Sequence, residues 1–418
     1  MNQTNHLQKI PNAALAYPAI VSLMLYVFCY QFAYPFTSTL FLYLAFGCFV
    51  MWLILGGRMR LSEQALLMAL VTVVSVTGVF YTDNPERGRR EAILTAVIFV
   101  LLLAMGQSEA LCDKMKKAVR FCSFLVLIGV LLQYLFPDTI NSVLGVLLRE
   151  ERYEQLMWSY SVDGAYAGFT AQTPETAYFC ATLFGFTAFG WLQNKGQPLK
   201  KKFFSFLILA ASGFAVILTS KRGIAVAMLV AFLVTYLVWG RFSSKTVTRV
   251  LGLLLLFVIV LLILNAQNET VHHFLQRFDS LDGDVTTGRM EIWSTALEND
   301  PNVLVGKGTG AAYTVYDAGL HNIYLQLYYD HGLIGVLVYL AFFIVNLVYA
   351  LKKREPMAIY IQVLVLVYGM SGNPIYDTSF FIVYTMFSVV GVTERAQTAV
   401  CEAGTMGEKY ESRNFNVS

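Results

Sequence analysis

Charge is scarce in this chain. Only 14% of its residues are Asp, Glu, Lys or Arg, against about a quarter in ordinary globular domains. Hydrophobic residues make up 57% and the mean hydropathy is +0.58. A soluble core of this length has no room for so much apolar surface. Histidine is rare, with five copies, and cysteine has six. Cys29, Cys48, Cys112, Cys122, Cys180 and Cys401 lie mostly in or beside apolar runs and form no CxxC pair. They read as buried thiols, with neither a disulfide framework nor a metal site. HExxH, GxSxG and paired-carboxylate loops are all missing. His272 and His273 are neighbours and cannot face one metal from a helix, so they read as surface residues. The net charge of +3 leaves no footprint for nucleic acid. No small-residue cleavage pattern follows the first apolar segment, so it is expected to stay as an anchor rather than act as a signal peptide.

Long apolar runs fill the space that charge leaves. Leu251 to Leu264 is almost unbroken, and Gly335 to Ala350 is another such run. Lipid is the natural solvent for such segments. The hydropathy pattern predicts an all-α, polytopic membrane helix bundle of about 12 transmembrane helices. They are expected near 17–36, 38–56, 64–82, 92–107, 119–136, 177–193, 203–219, 223–240, 247–265, 332–351, 357–371 and 378–393. Residues 1–397 form one transmembrane domain on this reading, and 398–418 form a polar cytoplasmic tail. Lys and Arg set the orientation. With both termini in the cytoplasm, every inside segment is basic and holds 20 of the 30 basic residues. Two long external segments then remain, about 137–176 and 266–331. Both are rich in aromatic residues and glycine. They are expected to fold over the outer mouth of the bundle, with short amphipathic helices at 140–157 and 288–299. No internal repeat or low-complexity tract is visible.

Ten basic residues fall outside: Arg87, Arg89, Arg90, Arg149, Arg152, Lys221, Arg222, Arg277, Arg289 and Lys307. Arg222 follows Leu218-Thr219-Ser220-Lys221 at the junction of two apolar helices. A charge at a membrane border either snorkels or binds an anion, and position alone leaves both readings open. Arg289 falls in the first turn of a short predicted helix. There it is either a solvated surface residue or a phosphate ligand helped by the free N–H groups of the helix start. His321-Asn322-Ile323-Tyr324-Leu325 follows Gly306-Lys307-Gly308-Thr309-Gly310 and precedes His331-Gly332-Leu333-Ile334-Gly335. The glycine cluster is not a nucleotide loop, because Pro301 stands where its first glycine belongs and Gly308 where Ser or Thr belongs. His321 is structural or catalytic on the same evidence.

Taken in order, these residues resemble the bacterial O-antigen ligase and O-antigen/capsular polysaccharide polymerase superfamily. The resemblance runs over roughly 165–335. Ser220-Lys221-Arg222-Gly223 comes first. Gly288-Arg289, Ile292-Trp293, Pro301, Gly306-Lys307-Gly308, His321 to Leu325 and Gly332 to Gly335 follow. Ala167-Gly168-Phe169 leads to Thr173-Pro174-Glu175, where the family often has Asn-Pro-Asn.

The resemblance implies a metal-independent, inverting glycosyltransferase without a cofactor. Its donor is an undecaprenyl pyrophosphate-linked oligosaccharide at the outer face of the bacterial plasma (inner) membrane. Arg222 and Arg289 would hold the pyrophosphate, and His321, with its ordinary pKa near neutrality, would be the general base. Lys307, Arg89, Arg90, Asn322 and Tyr324 are further candidates for sugar or phosphate contacts. Tyr324 and the loop aromatics either stack on sugars or form an interfacial belt. The expected partners are the lipid-linked oligosaccharide, membrane lipids, a chain-length regulator and a flippase, with no nucleic acid. The compact segment between Arg289 and His321 favours a polymerase by analogy. An O-antigen ligase, transferring to lipid A core or another acceptor, is the alternative. A polysaccharide transporter or flippase is a third reading from another class, against which stand the lack of a repeat and of midplane charge.

Overall fold

In lipid a backbone must satisfy its own hydrogen bonds, and a helix does so locally. The computed structural model is accordingly helical wherever long elements are described. It describes residues 12–29, 38–56, 61–106, 109–193, 196, 198–239, 288–299, 301–317 and 319–389, with short pieces at 247–248, 252, 265–266, 271–272 and 274–276. The helices are α1 (Asn12–Cys29), α2 (Ser38–Gly56), α3 (Glu63–Gly78), α4 (Pro85–Met105), α5 (Glu109–Leu135), α6 (Pro137–Leu147), α7 (Glu150–Asp163), α8 (Thr173–Gln193), α9 (Leu199–Leu218) and α10 (Arg222–Trp239). After a gap in the described residues come α11 (Arg289–Glu298), α12 (Ala312–Val315), α13 (Ile323–Lys353), α14 (Pro356–Tyr368) and α15 (Thr378–Ser388).

Local sequence explains several of the ends. Ser62 caps α3 through a bond from the Ala65 N–H (3.1 Å), and Asn84 caps α4 through the Arg87 N–H (3.2 Å), with Pro85 just inside. Asp377 caps α15 through the Ser379 N–H at 3.0 Å. By length and composition, four helices among the described residues can cross a membrane: Leu111–Leu135, Leu199–Leu218, Arg222–Trp239 and Ile323–Lys353. Shorter apolar helices at Tyr17–Val27, Leu40–Leu55, Glu63–Gly78, Pro356–Tyr368 and Thr378–Ser388 pack with them.

The centre of the bundle is α15, whose residues from Ser379 to Ser388 are all buried. A helix apolar on every side has to sit in the middle. Phe380 stacks on Tyr178 of α8, 4.0 Å between ring centroids, and Phe381 and Tyr384 meet Phe342 of α13. Lipid gives no hydrophobic push between helices, so close contact has to hold them together. Gly185 allows this by letting α8 lie against the Tyr360 ring, whose hydroxyl donates to the Ala181 carbonyl at 2.8 Å.

Several boundaries differ from expectation. The helix expected at 119–136 begins ten residues earlier, and the one expected at 92–107 begins at Pro85. In both, a segment with several charged residues continues the helix beyond the apolar run. The single helix expected at 140–157 is two, α6 and α7, because Leu148 and Arg149 are extended. The helix expected at 332–351 begins at Ile323, with non-helical backbone at Gly332. The span expected at 247–265 and the tail at 398–418 lie essentially outside the described residues.

One end of the bundle carries the long connections, formed by the ends of α3, α5, α9 and α14 and the starts of α4, α8, α10, α13 and α15. Segment 137–176 folds onto it: Gln133 of α5 accepts from the Ala167 and Gly168 N–H groups at 2.9 and 2.7 Å. The other end carries Lys116 of α5, paired to Glu355 at 3.5 Å, and Lys352 and Lys353 in the last turn of α13.

Candidate functional site

Four connections meet at the loop-bearing end. The first is the turn between α9 and α10. Ser220 has φ 55° there, and its hydroxyl donates to the Asp163 carbonyl at 2.9 Å. The Leu218 carbonyl accepts from the Tyr166 N–H at 2.9 Å. The segment after α7 therefore fixes the turn that presents Lys221 and Arg222, both half-buried. Gly223 then packs against Ser371 and Tyr368 at the end of α14, where a Cβ would meet the serine hydroxyl.

The second connection is the start of α11. Gly288 adopts φ 81°, a left-handed conformation that suits glycine, and turns the chain so that Arg289 occupies the first helical position. The third is the stretch from Gly319 to Asn322. Trp293 of α11 donates its indole N–H to the Leu320 carbonyl at 2.7 Å. The Leu320 N–H donates to the buried Gln326 side chain at 3.2 Å. The Ile323 N–H donates to the Gly369 carbonyl, in the fourth connection between α14 and α15, at 2.8 Å. Asn322 caps α13, its Oδ1 accepting from Tyr324 and Leu325 at 3.0 and 3.2 Å.

His321 is clamped between these bonds with φ 51°, in a region where a side chain is uncommon and costs free energy. Its ring lies 5.8 Å from that of Tyr316. Burial, with the positive charges of Arg289 and Lys221, pushes the imidazole pKa down to about 4. The ordinary value assumed from sequence is thus corrected, because desolvation and two nearby cations both oppose protonation. The charge of Arg289 also reaches Tyr368. Arg289, His321 and Lys221 are therefore one electrostatic unit, and Arg222 stands next to Lys221 at the start of α10.

Beside His321 a groove of about 520 Å³ runs between α11 and the first turns of α13. Met290, Trp293 and Leu297 line one wall, and Asn322, Tyr324 and Tyr328 the other. The Tyr324 hydroxyl donates to the Leu366 carbonyl at 2.7 Å, so its ring is held in place. Aromatic faces with a few fixed polar groups suit the apolar faces of sugar rings or a lipid chain.

Lys307 lies in the connection between α11 and α12, its backbone N–H donating to the Tyr329 carbonyl of α13 at 2.8 Å. Arg89 and Arg90 sit on the exposed face of α4, where Arg89 donates to the Pro85 carbonyl (3.2 Å) and Arg90 to Glu86 (2.6 Å). Their neighbour Arg87, not singled out from sequence, turns the other way. It donates to the Tyr313 hydroxyl at 2.8 Å, lies 4.0 Å from that ring's centroid and pairs with Glu91 at 3.4 Å. Burial pushes the Tyr313 phenol up, so it stays a neutral donor and acceptor.

The fold defines a helical integral membrane protein, and at one end of it the charges of Arg289 and Lys221 both act on His321. Residues 204–340, about a third of the chain, match the family model described as O-Antigen ligase. That match supports the superfamily recognised in the motifs, an O-antigen ligase- or polymerase-type function, and a glycosyl-transfer kind of reaction. The stretch spans α9 to the middle of α13 and contains Lys221, Arg222, Arg289, Lys307 and His321. No curated protein matches the chain.

Proposed function

We propose that this protein polymerises lipid-linked oligosaccharide repeat units into O-antigen, capsule or exopolysaccharide, with an undecaprenyl pyrophosphate-linked donor, at the outer face of the plasma membrane. One observation carries the reading: Arg289 and His321, tied together through Trp293 and Leu320, share a site with Lys221 inside the matched region.

In this reading Arg222 and Arg289 bind the diphosphate, where charge-assisted bonds to guanidinium forks are strong and directional. The acceptor hydroxyl oxygen attacks the anomeric carbon as the bond from that carbon to the diphosphate oxygen breaks. The ring nitrogen of His321 takes the hydroxyl proton, and the leaving lipid diphosphate carries away the electron pair under the two arginines. One displacement inverts the anomeric centre. Diphosphate leaves readily, so no general acid is needed. A pKa of about 4 keeps His321 unprotonated at neutral pH, and the arriving diphosphate offsets the two cations and makes the imidazole a better base. The groove between α11 and α13 receives sugar rings against Trp293, Tyr324 and Tyr328. Lys307, Arg89 and Arg90 contribute from further out, on the polymer side. The loop-bearing end faces the periplasm or exterior, and the lysine-rich end faces the cytoplasm.

A ligase is the second reading, favoured by the matched family's description. It uses the same chemistry with lipid A core or another acceptor. Purified protein in lipid, given only lipid-linked repeat units and no nucleotide, is expected to lengthen them. Lengthening that requires a separate acceptor identifies the ligase. Transbilayer movement of the units without any bond formation makes the protein a flippase and ends the proposal.

A further inference from the structure

The break in α13 at Gly332 has a partner, the turn Asn302–Gly306. Gly332 adopts φ 59° and ψ −162°, so the helical ladder is interrupted and the N–H groups just after it lose their usual acceptors. The Leu333 N–H donates instead to the Val303 carbonyl at 2.8 Å, and the Ile334 N–H to the Leu304 carbonyl at 3.1 Å. A side chain on Gly332 would collide with the Leu304 carbonyl. Within the turn, Asn302 Oδ1 accepts from Leu304 and Val305 at 3.0 and 3.2 Å, and the Gly306 N–H donates to the Asn302 carbonyl at 2.7 Å. The Val305 carbonyl accepts from the Tyr81 hydroxyl at 2.9 Å.

Most polar backbone groups of the turn are therefore bonded within it, to α13 or to Tyr81, while Val303, Leu304 and Val305 are apolar and exposed, Leu304 to 60%. Water demands neither property of a surface turn, whereas hydrocarbon demands both. The surroundings continue the pattern. Phe80 at the end of α3 is 85% exposed and Leu337 of α13 is 67% exposed, with Leu333 and Ile334 also exposed between them and the turn. Helices α3 and α13 pack together, and Ser75 and Tyr339 share a hydrogen bond of 3.2 Å. Leu66, Leu70 and Val73 of α3 and Ile344 and Val348 of α13 extend the exposed apolar faces away from the turn. Leu333–Lys353 is 21 residues, about 31 Å of helix, which matches a hydrocarbon core of about 30 Å. The break thus falls at the edge of the hydrocarbon, and the turn is bonded to it at that level.

We propose that Val303, Leu304 and Val305, with Phe80 and Tyr81, insert into the leaflet next to the site and anchor the segment between α11 and α13 to the membrane. The occupant of this apolar surface is the bilayer lipid, in continuity with the lipid-facing sides of α3 and α13. The inference holds whichever glycosyl acceptor the protein uses and whichever compartment the site faces.

Full-length protein in nanodiscs tests it. Leu304→Trp adds a reporter at an exposed position, read as the difference from the parent's fluorescence. Its emission is expected to be blue-shifted and to lose most of its intensity with lipids brominated at shallow acyl carbons, while aqueous iodide leaves it unchanged. Glu298→Trp, on the exposed end of α11, is the aqueous control, quenched by iodide and not by bromolipid. Leu304→Trp behaving like Glu298→Trp overturns the proposal. Should Leu304→Trp fail to fold, Phe80→Trp carries the same expectation and the same power to refute it.

Discussion

The indole of Trp293 donates to the carbonyl of Leu320 at 2.7 Å. This one bond joins the helix that begins with Arg289 to the residue before His321, so Arg289 and His321 are placed relative to each other by a side chain that belongs to neither. Trp293→Phe keeps most of the packing and loses the donor. A bond of this kind contributes about 0.5–1.5 kcal/mol to stability, so a small fall in melting temperature is expected. The effect on kcat should be larger, about tenfold or more, because small misplacements of reacting groups are costly. An unchanged kcat with lowered stability would show the bond to be scaffolding only.

Removing the side chains to which the proposed mechanism assigns roles separates those roles. His321→Ala is expected to lower kcat by about 10²–10⁴-fold, the usual contribution of a general base. Arg289→Ala and Arg222→Ala should each cost about 10²–10³-fold, as removal of a charge-stabilising donor does. Arg289→Lys should recover little, because a point charge does not reproduce the guanidinium fork. Lengthening of lipid-linked oligosaccharide by purified variants is the measurement. Retention of full activity by all three alanine variants while folded would remove the mechanism.

Much of this was legible in sequence, for identifiable reasons. The run at 38–56 gives α2 to the residue, and 223–240 lies one residue from α10, because both helices are apolar throughout. The start of α13 was less visible. Apolar content begins its span at Gly332, where the backbone breaks, and so finds the second part of α13; the first part, from Ile323 to His331, is more polar and is marked by the Asn322 cap instead of by hydropathy. Arg289 and His321 stand in recognisable motifs. Arg87 does not: its partner Tyr313 is 226 residues away, and nothing local distinguishes it from Arg89 and Arg90. The low pKa of His321 was equally hidden, since its causes are burial and charges brought from two distant connections.

That low pKa predicts a pH profile. The free protein keeps His321 neutral until the pH approaches 4, so the acid limb of kcat/KM, which reports the free enzyme, should lie near there. In the proposed mechanism bound diphosphate offsets Arg289 and Lys221, so the acid limb of kcat should sit at higher pH. For stability the sign is fixed. The unfolded histidine takes up a proton near pH 6.5 and the folded one only near 4. The contribution is full above 6.5 and is lost as the pH falls through that interval. His321→Gln should flatten the corresponding part of the stability profile in acid titrations followed by thermal unfolding. Coincident acid limbs for kcat and kcat/KM would contradict the proposed effect of the diphosphate on the imidazole.

Arg87 supports a last prediction about what holds the loop down. Its guanidinium bonds Tyr313 at 2.8 Å and Glu91 at 3.4 Å, and the second oxygen of the Glu91 carboxylate has no hydrogen-bond partner among the described residues. Losing one member of a buried pair costs about 3–5 kcal/mol, mainly because the other is stranded, and the partial exposure of Arg87 should bring this case below that range. Arg87→Met is therefore expected to destabilise the protein measurably in thermal unfolding. Adding Glu91→Gln should restore most of the loss, since the stranded charge is gone although the contact with Tyr313 is not rebuilt. Activity need not return with it, because Tyr313, on the segment that leads to His321, does not regain its bond to residue 87. A double variant as unstable as Arg87→Met alone would locate the cost in the packing of the guanidinium on the Tyr313 ring instead of in the charge of Glu91.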